Sequence, residues 1–125
     1  MHYALILGLG SNHDAERNIM MAEERLHSLF PAIIFSRTIR TAAVNMPHST
    51  PDYLNAIAVA HTSLPYPALR SVMKGIERLQ GRTPELKRKG LVPLDIDIMQ
   101  YGNHQMKPDD WYRDFNILLL KELGL

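Results

Sequence analysis

Two aspartates one residue apart, Asp95 and Asp97, stand out in the stretch Leu-Val-Pro-Leu-Asp-Ile-Asp-Ile-Met-Gln-Tyr-Gly-Asn that runs from Leu91 to Asn103. Strict alternation predicts a strand here, with Leu94, Ile96 and Ile98 pointing one way and Asp95, Asp97 and Met99 the other. The carboxylates then share a face, roughly 7 Å apart at about 3.4 Å of rise per residue. Acids so close repel each other, and a divalent cation relieves the repulsion; magnesium takes carboxylate oxygens and bridges to phosphates. The chemistry this suggests is a magnesium site for a nucleotide phosphate. The plainer alternative is a half-buried strand whose wet face meets solvent. Asn55, next but one to Tyr53, is a second candidate. Asparagine is unfavourable in a strand, but its amide donates and accepts at once, which suits a flat heterocycle, and Tyr53 on the same face offers a stacking surface. Here the alternative is an ordinary strand beginning with Asn55 bonded locally. A third feature is basic: Arg78, Arg82, Lys87, Arg88 and Lys89 lie close in sequence, and after Arg78 only Glu85 opposes them. Such a run also suits a solvated loop.

The elements that must position these residues follow from periodicity. Tyr3 to Leu9 is a nearly continuous apolar run, as in a strand buried on both sides. Gly8 and Gly10 then permit a turn or a close approach, and Ser11 and Asn12 are good caps for a helix from about His13 to Phe30. Its apolar positions are Ile19, Ala22, Leu26, Leu29 and Phe30. Ile33 to Arg40 reads as a second strand, and Thr41 to Asp52 as a loop whose length and Ser49-Thr50 pair suggest a mobile element near a site. Tyr53 to Thr62 reads as a third strand, with Leu54, Ala56, Ala58 and Ala60 on one face and Tyr53, Asn55, Ile57 and Val59 on the other. Pro65 and Pro67 lead into a helix over Ala68 to Gln80 with the stripe Leu69, Val72, Met73, Ile76 and Leu79, closed by Gly81. Arg82 to Val92 is a basic loop. After the acidic strand, Gly102-Asn103 is a turn, Lys107 to Asp110 is polar and turn-like, and Phe115 to Leu120 is either a last strand or the start of a terminal helix.

The order is β-α-β-β-α-β with a short C-terminal extension. It predicts a single domain over residues 1–125 of the α+β class: a ferredoxin-like sandwich with an antiparallel sheet and two helices on one face. Composition agrees. The chain has 125 residues, 46% hydrophobic and 22% charged, as for an ordinary globular domain with a core. A formal net charge of +1 points to neither nucleic acid nor a membrane surface. There is no cysteine, hence no thiol chemistry, and no leader-like start or membrane-length apolar run, so a cytoplasmic location is the expectation. The six histidines, His2, His13, His27, His48, His61 and His104, show no ligand spacing.

Taken in order, Gly10-Ser11-Asn12, Pro51-Asp52-Tyr53-Leu54-Asn55-Ala56, Ile76-Glu77-Arg78 with Gly81-Arg82, and Leu94-Asp95-Ile96-Asp97-Ile98-Met99 running to Tyr101-Gly102-Asn103 resemble the 6-hydroxymethyl-7,8-dihydropterin pyrophosphokinase family of folate biosynthesis. The resemblance implies transfer of the β,γ-diphosphate of ATP to a reduced pterin, releasing AMP, with no protein partner specified. It implies that Asp95 and Asp97 hold two magnesium ions that bridge the ATP phosphates, and that Arg82 opens a mobile catalytic loop. It places Asn55, Tyr53 and Phe115 on the pterin, and Glu77, Arg88 and Arg113 on ATP. The sequence also departs from the family pattern. Val92 and Pro93 stand where the family carries an arginine and a threonine, Lys89 replaces a tryptophan, and Pro84 replaces a loop arginine. Met106-Lys107-Pro108 lacks the family's Pro-His pair, and no Pro-Leu-containing segment follows Phe115. A non-catalytic pterin- or nucleotide-binding module of the same fold is therefore the alternative expectation; a scaffold without a site is a third.

Overall fold

The computed structural model describes residues 2–43 and 50–125. Its central strand is β1 (Tyr3–Ser11), which pairs antiparallel with β4 (Tyr53–Thr62) on one side and β5 (Asp95–Tyr101) on the other. Alternation along Leu-Ile-Leu-Gly-Leu-Gly decides what each face becomes. Leu5, Leu7 and Leu9 join Leu54, Ala56, Ala58, Ala60, Leu94, Ile96 and Ile98 in one core layer. Two helices close that layer, α1 (Ala15–Leu29) through Ile19, Ala22 and Leu26, and α2 (Tyr66–Leu79) through Leu69, Met73 and Ile76. Ile6, Ile57 and Met99 face the other way.

The second face is covered as well. The short α4 (Pro108–Trp111) and α5 (Asp114–Glu122) lie over it, and Leu119 and Leu120 pack on Ile6, Ile57 and Met99. The run Phe115 to Leu120 is thus the start of a terminal helix, and Lys107 to Asp110 leads into α4 rather than forming a plain turn. The register of β1 and β5 slips between Ile6 and Leu7. Beside that slip the Met99 carbonyl accepts from Met106 N (2.8 Å) and from Trp111 Nε1 (2.9 Å), which seats α4 on the sheet.

The α+β expectation holds: the sheet is antiparallel in the order β2-β4-β1-β5-β6, with α1 and α2 on one face. The expected second strand is broken into β2 (Ile34–Phe35) and β3 (Ile39–Thr41), both paired with β4. Ser36 causes the break. Its N–H donates to Ile57 O while its Oγ accepts from Ile57 N, each at 2.8 Å, so the side chain takes the place of a backbone carbonyl. The pairing shifts from Phe35↔Ala58 to Ile39↔Asn55, one extra residue on the outer strand, as in a β-bulge. Arg37, next to the break, forms a two-pronged ion pair with Glu122 of α5 at 2.9 and 3.0 Å.

Four other expectations are corrected. Ser11 and Asn12 do not cap α1, which begins after Asp14 in the left-handed region (φ 45) with no side-chain cap. Strand pairing carries β1 through Ser11, opposite Leu54, so the glycines lie inside a strand and not at a turn. Leu29 and Leu79, placed in the apolar stripes, are exposed. The basic loop contains α3 (Pro84–Arg88), started by Thr83, whose Oγ1 accepts from Leu86 N at 3.2 Å. Beyond Gly102-Asn103 a short β6 (His104–Gln105) completes a hairpin with β5. Half of the loop expected to be a mobile element, residues 44–49 with Pro47, His48 and Ser49, lies outside the described residues.

Asn12 instead staples the approach to β5. Its Nδ2 donates to Gly90 O at 2.8 Å, its Oδ1 accepts from Val92 N at 2.6 Å, and its own N–H donates to Val92 O at 3.0 Å. The side chain is 6% exposed, so truncation strands two buried backbone groups. Asn12→Ala should therefore cost about 2–4 kcal/mol of stability, measurable as a lower urea midpoint; a loss under about 0.5 kcal/mol would mean that water replaces both bonds.

Candidate functional site

The two faces of β1 carry leucines and glycines respectively, and the glycine end makes a cavity. Gly8 pairs across with Asp97 on β5 and Ile57 on β4; Gly10 pairs with Asp95 and Asn55. On this face the central strand has no side chains between the acids of one neighbour and the amide of the other. A Cβ at Gly10 would meet Asn55 Oδ1 at 3.4 Å and Tyr53 Cδ1 at 3.5 Å, and one at Gly8 would meet Met99 Sδ at 3.2 Å. The result is a cavity of about 190 Å³ with a glycine floor. Tyr53 and Asn55 form one wall, Asp95 and Asp97 the other, and Arg113, Phe115 and Asn116 form the lip. Helix α5 covers the sheet only as far as Ile6, Ile57 and Met99, which leaves this end open.

The wall on β4 is preset. Asn55 Nδ2 donates to Thr41 Oγ1 at 2.6 Å, a bond possible because β3 pairs Ile39 with Asn55. Among the described residues the amide's carbonyl oxygen and its second N–H have no other partner. Burial, then the nearby Asp95, raises the Tyr53 phenol, so it stays a neutral hydroxyl at neutral pH.

The acidic wall is held from below. Glu77, on the last turn of α2, is 3% exposed. Its Oε2 accepts from Ile96 N at 2.7 Å and from Arg82 Nη1 at 3.0 Å, and Arg82 Nη1 reaches Asp95 Oδ1 at 2.9 Å. Burial pushes the Glu77 carboxyl up, against the pull of the Ile96 amide and Arg82. Arg82 is thus the link between a buried acid and one of the paired aspartates. Asp97 has the less balanced environment. Burial first, then Asp95 and Asp110, raise it from 3.8 to about 7, while Lys107, with Nζ 3.6 Å from Asp97 Oδ1, pulls it back. Arg113 Nε lies 3.4 Å from Asp110 Oδ1 at the lip.

Six of the residues singled out in the sequence, Tyr53, Asn55, Asp95, Asp97, Arg113 and Phe115, line this one cavity. Arg82 touches its edge through Asp95. Glu77 lies beneath it, and Arg88 is exposed on α3 and is not part of its lining. Sequence reasoning missed Thr41, Asp110 and Lys107. Thr41 takes its role from strand pairing, and the other two lie in a segment read only as polar.

The pattern of the sequence also matches a family model, that of 7,8-dihydro-6-hydroxymethylpterin-pyrophosphokinase, over residues 6–124. The chain belongs to this family. Among curated proteins, it is 44% identical over 57 residues to 2-amino-4-hydroxy-6-hydroxymethyldihydropteridine pyrophosphokinase of Haemophilus influenzae, covering 46% of this chain. It is 31% identical over 131 residues to the mitochondrial folate synthesis bifunctional protein of Arabidopsis thaliana, covering 97% of this chain. Those matches span 35% and 23% of the relatives' own lengths.

Among the described residues, no group of three or more histidine, aspartate or glutamate side chains is arranged to hold a metal ion. Asp95 and Asp97 offer a hard, oxygen-only donor pair whose charge is only partly offset, by Arg82 at Asp95 and Lys107 at Asp97, which fits a divalent cation that completes its shell with phosphate and water. The sign of the Asp97 shift makes this testable. The native state holds the Asp97 proton up to about pH 7 and the unfolded chain releases it near 3.8, so metal-free stability falls as pH rises across that window. Asp97→Asn in EDTA should gain on wild type progressively from pH 5 to pH 8, by on the order of 1–3 kcal/mol. Magnesium should stabilise only the wild type at pH 8. A pH-independent difference would contradict this electrostatic account.

Proposed function

We propose that this chain, as one domain, transfers the β,γ-diphosphate of ATP to the hydroxymethyl group of 6-hydroxymethyl-7,8-dihydropterin, with AMP as the other product. One observation carries the reading: in a member of this family, a cavity walled by Tyr53 and the Asn55 amide, with Phe115 at its lip, opens across a glycine floor onto a paired carboxylate wall. Asn55 reads the hydrogen-bonding edge of the pterin, held in orientation by Thr41, and Tyr53 and Phe115 bracket its rings. The glycine floor lets the flat ring lie close to β1. The hydroxymethyl arm then extends toward Asp95 and Asp97. Its oxygen forms a bond to the β-phosphorus, the bond from that phosphorus to the α,β-bridging oxygen breaks, and the bridging oxygen leaves with AMP; the hydroxyl proton passes to water.

Asp95 and Asp97 would hold magnesium, two ions in the full reading, which when bound neutralises phosphate charge and keeps the phosphates in line. Arg82 is fixed by Glu77 at the edge of this wall, so Glu77 serves the nucleotide side by positioning Arg82 and Ile96. Arg113 at the lip and Arg88 on α3 are the further phosphate cations. ATP and a reduced pterin are the partners, without nucleic acid or membrane, and the cytoplasm is the compartment; no helix among the described residues is long and apolar enough to cross a membrane.

A second reading, a binding module that does not turn over, is favoured by the residues that stand where the family carries two arginines and a tryptophan. Val92 is buried and its backbone is held by Asn12, Pro84 starts α3, and Lys89 pairs loosely with Glu85 at 3.8 Å. The assay that separates the two is AMP release from ATP and magnesium with and without hydroxymethyldihydropterin. The enzyme reading expects pterin-dependent AMP, reduced at least about a hundredfold in Asp95→Ala. Folded wild-type protein that binds the pterin but releases no AMP overturns it in favour of the module.

A further inference from the structure

Asp97 lines a second cleft of about 220 Å³, on the opposite side from Asn55, between α2 and β5. Met73, Ile96 and Ile98 supply apolar lining, and three cations, Arg70, Lys74 and Lys107, share the lining with Asp97. Lys74 is engaged weakly with Glu77 at 3.9 Å, and Lys107 reaches Asp97 at 3.6 Å. Lys107 is therefore the cation that joins the second cleft to the carboxylate pair of the first cavity.

The backbone at Lys107 is unusual. It takes the left-handed conformation (φ 55, ψ 61) immediately before Pro108, at a cost of about 1–2 kcal/mol for a residue with a Cβ. Asparagine or glycine would adopt it more cheaply. The conformation is imposed by the bonds on either side: Met106 N to Met99 O at 2.8 Å, Asp110 N to Lys107 O at 2.9 Å, and Trp111 Nε1 to Met99 O. A strained position held this firmly, and carrying a charge, fits a requirement for that charge at that place. The base of the side chain is fixed while its four-carbon stem is half exposed and free to turn.

We propose that Lys107 is a built-in counter-cation of the carboxylate pair, which holds Asp97 until a divalent cation takes that carboxylate and then turns its ammonium onto a phosphate of a nucleotide lying along the α2–β5 cleft. This rests on the ATP-dependent reading above and adds a residue to it. A tethered ammonium beside Asp97 relieves the charge of the metal-free site and competes with the incoming ion. Once displaced, it faces the side of the site where Arg70 and Lys74 already favour an anion. Three cations on this side also offset the loss of the family's arginines at Val92 and Pro84.

The test uses calorimetry on wild type, Lys107→Met and Lys107→Arg, first with magnesium alone and then with magnesium and the non-cleaved analogue α,β-methylene-ATP. Lys107→Met keeps the stem and removes the charge. It should bind magnesium alone several-fold more tightly and the analogue about tenfold more weakly, the scale of one charge-assisted hydrogen bond, while Lys107→Arg stays near wild type in both. Unchanged affinities in Lys107→Met, or a parallel loss of both, overturn the proposal, because a packing role would weaken the two together. Wild type that binds magnesium but no analogue overturns the ATP reading and the hand-over with it; the magnesium-only comparison then shows separately whether Lys107 competes at Asp97.

Discussion

The constraint on which the site depends is that β1 must satisfy two incompatible faces with one alternating sequence. One face has to fill the layer under α1 and α2, and leucine at positions 5, 7 and 9 does so. The other must pack under α5 at Ile6 and then leave space, and glycine at positions 8 and 10 does that without breaking the ladder to either neighbour. Glycine in a strand interior costs roughly 0.5–1 kcal/mol relative to alanine. Here that cost is offset by pairing on both sides along nearly the whole strand. The gain is a gap between Asn55 and Asp95 that an ordinary sheet would fill with a side chain.

From that gap the remaining structure follows as support. The wall on β4 is set by β3, whose register after the Ser36 bulge brings Thr41 within reach of Asn55. The wall on β5 is set from three directions: the Asn12 staple on residues 90–92, the Glu77 carboxylate on Ile96 N, and the Arg82 guanidinium on Asp95. Removing one partner of the Glu77–Arg82–Asp95 chain leaves a charge with less compensation than it has now, which for Glu77 means a buried one. The site is thus rigid on its β4 wall and less compensated at Asp97, whose ion-pair partner among the described residues is the loosely held Lys107.

Much of this was legible from the chain. The alternation of residues 94–99 assigned each side chain of β5 to its face, and β4 kept both its limits and its two faces. Asn55 was conspicuous as a polar residue in a strand pattern, and it does line the cavity. What could not be read depended on partners distant in sequence. Ser11 and Asn12 have the chemistry of helix caps, but pairing with Leu54 and the segment 90–92 takes them first. The break at Ser36 needs Ile57 opposite it. Leu29 and Leu79 fit a helical stripe by spacing but are exposed, and the residue that follows each, Phe30 and Gln80, is the buried one. The run Phe115 to Leu120 is too short for its period to distinguish strand from helix; Ile6, Ile57 and Met99 decide it by offering a face to Leu119 and Leu120.

The central claim is that the open glycine floor is where the pterin ring rests, and Gly10 tests it most directly. A valine there suits a strand and projects into the cavity against Asn55 Oδ1 and Tyr53 Cδ1. Titration of hydroxymethylpterin, followed by its fluorescence, should show binding to wild type and a loss of at least about tenfold (about 1.4 kcal/mol) in Gly10→Val, with a melting temperature close to wild type. Equal affinity in a folded Gly10→Val protein would contradict the account and move the pterin away from β1.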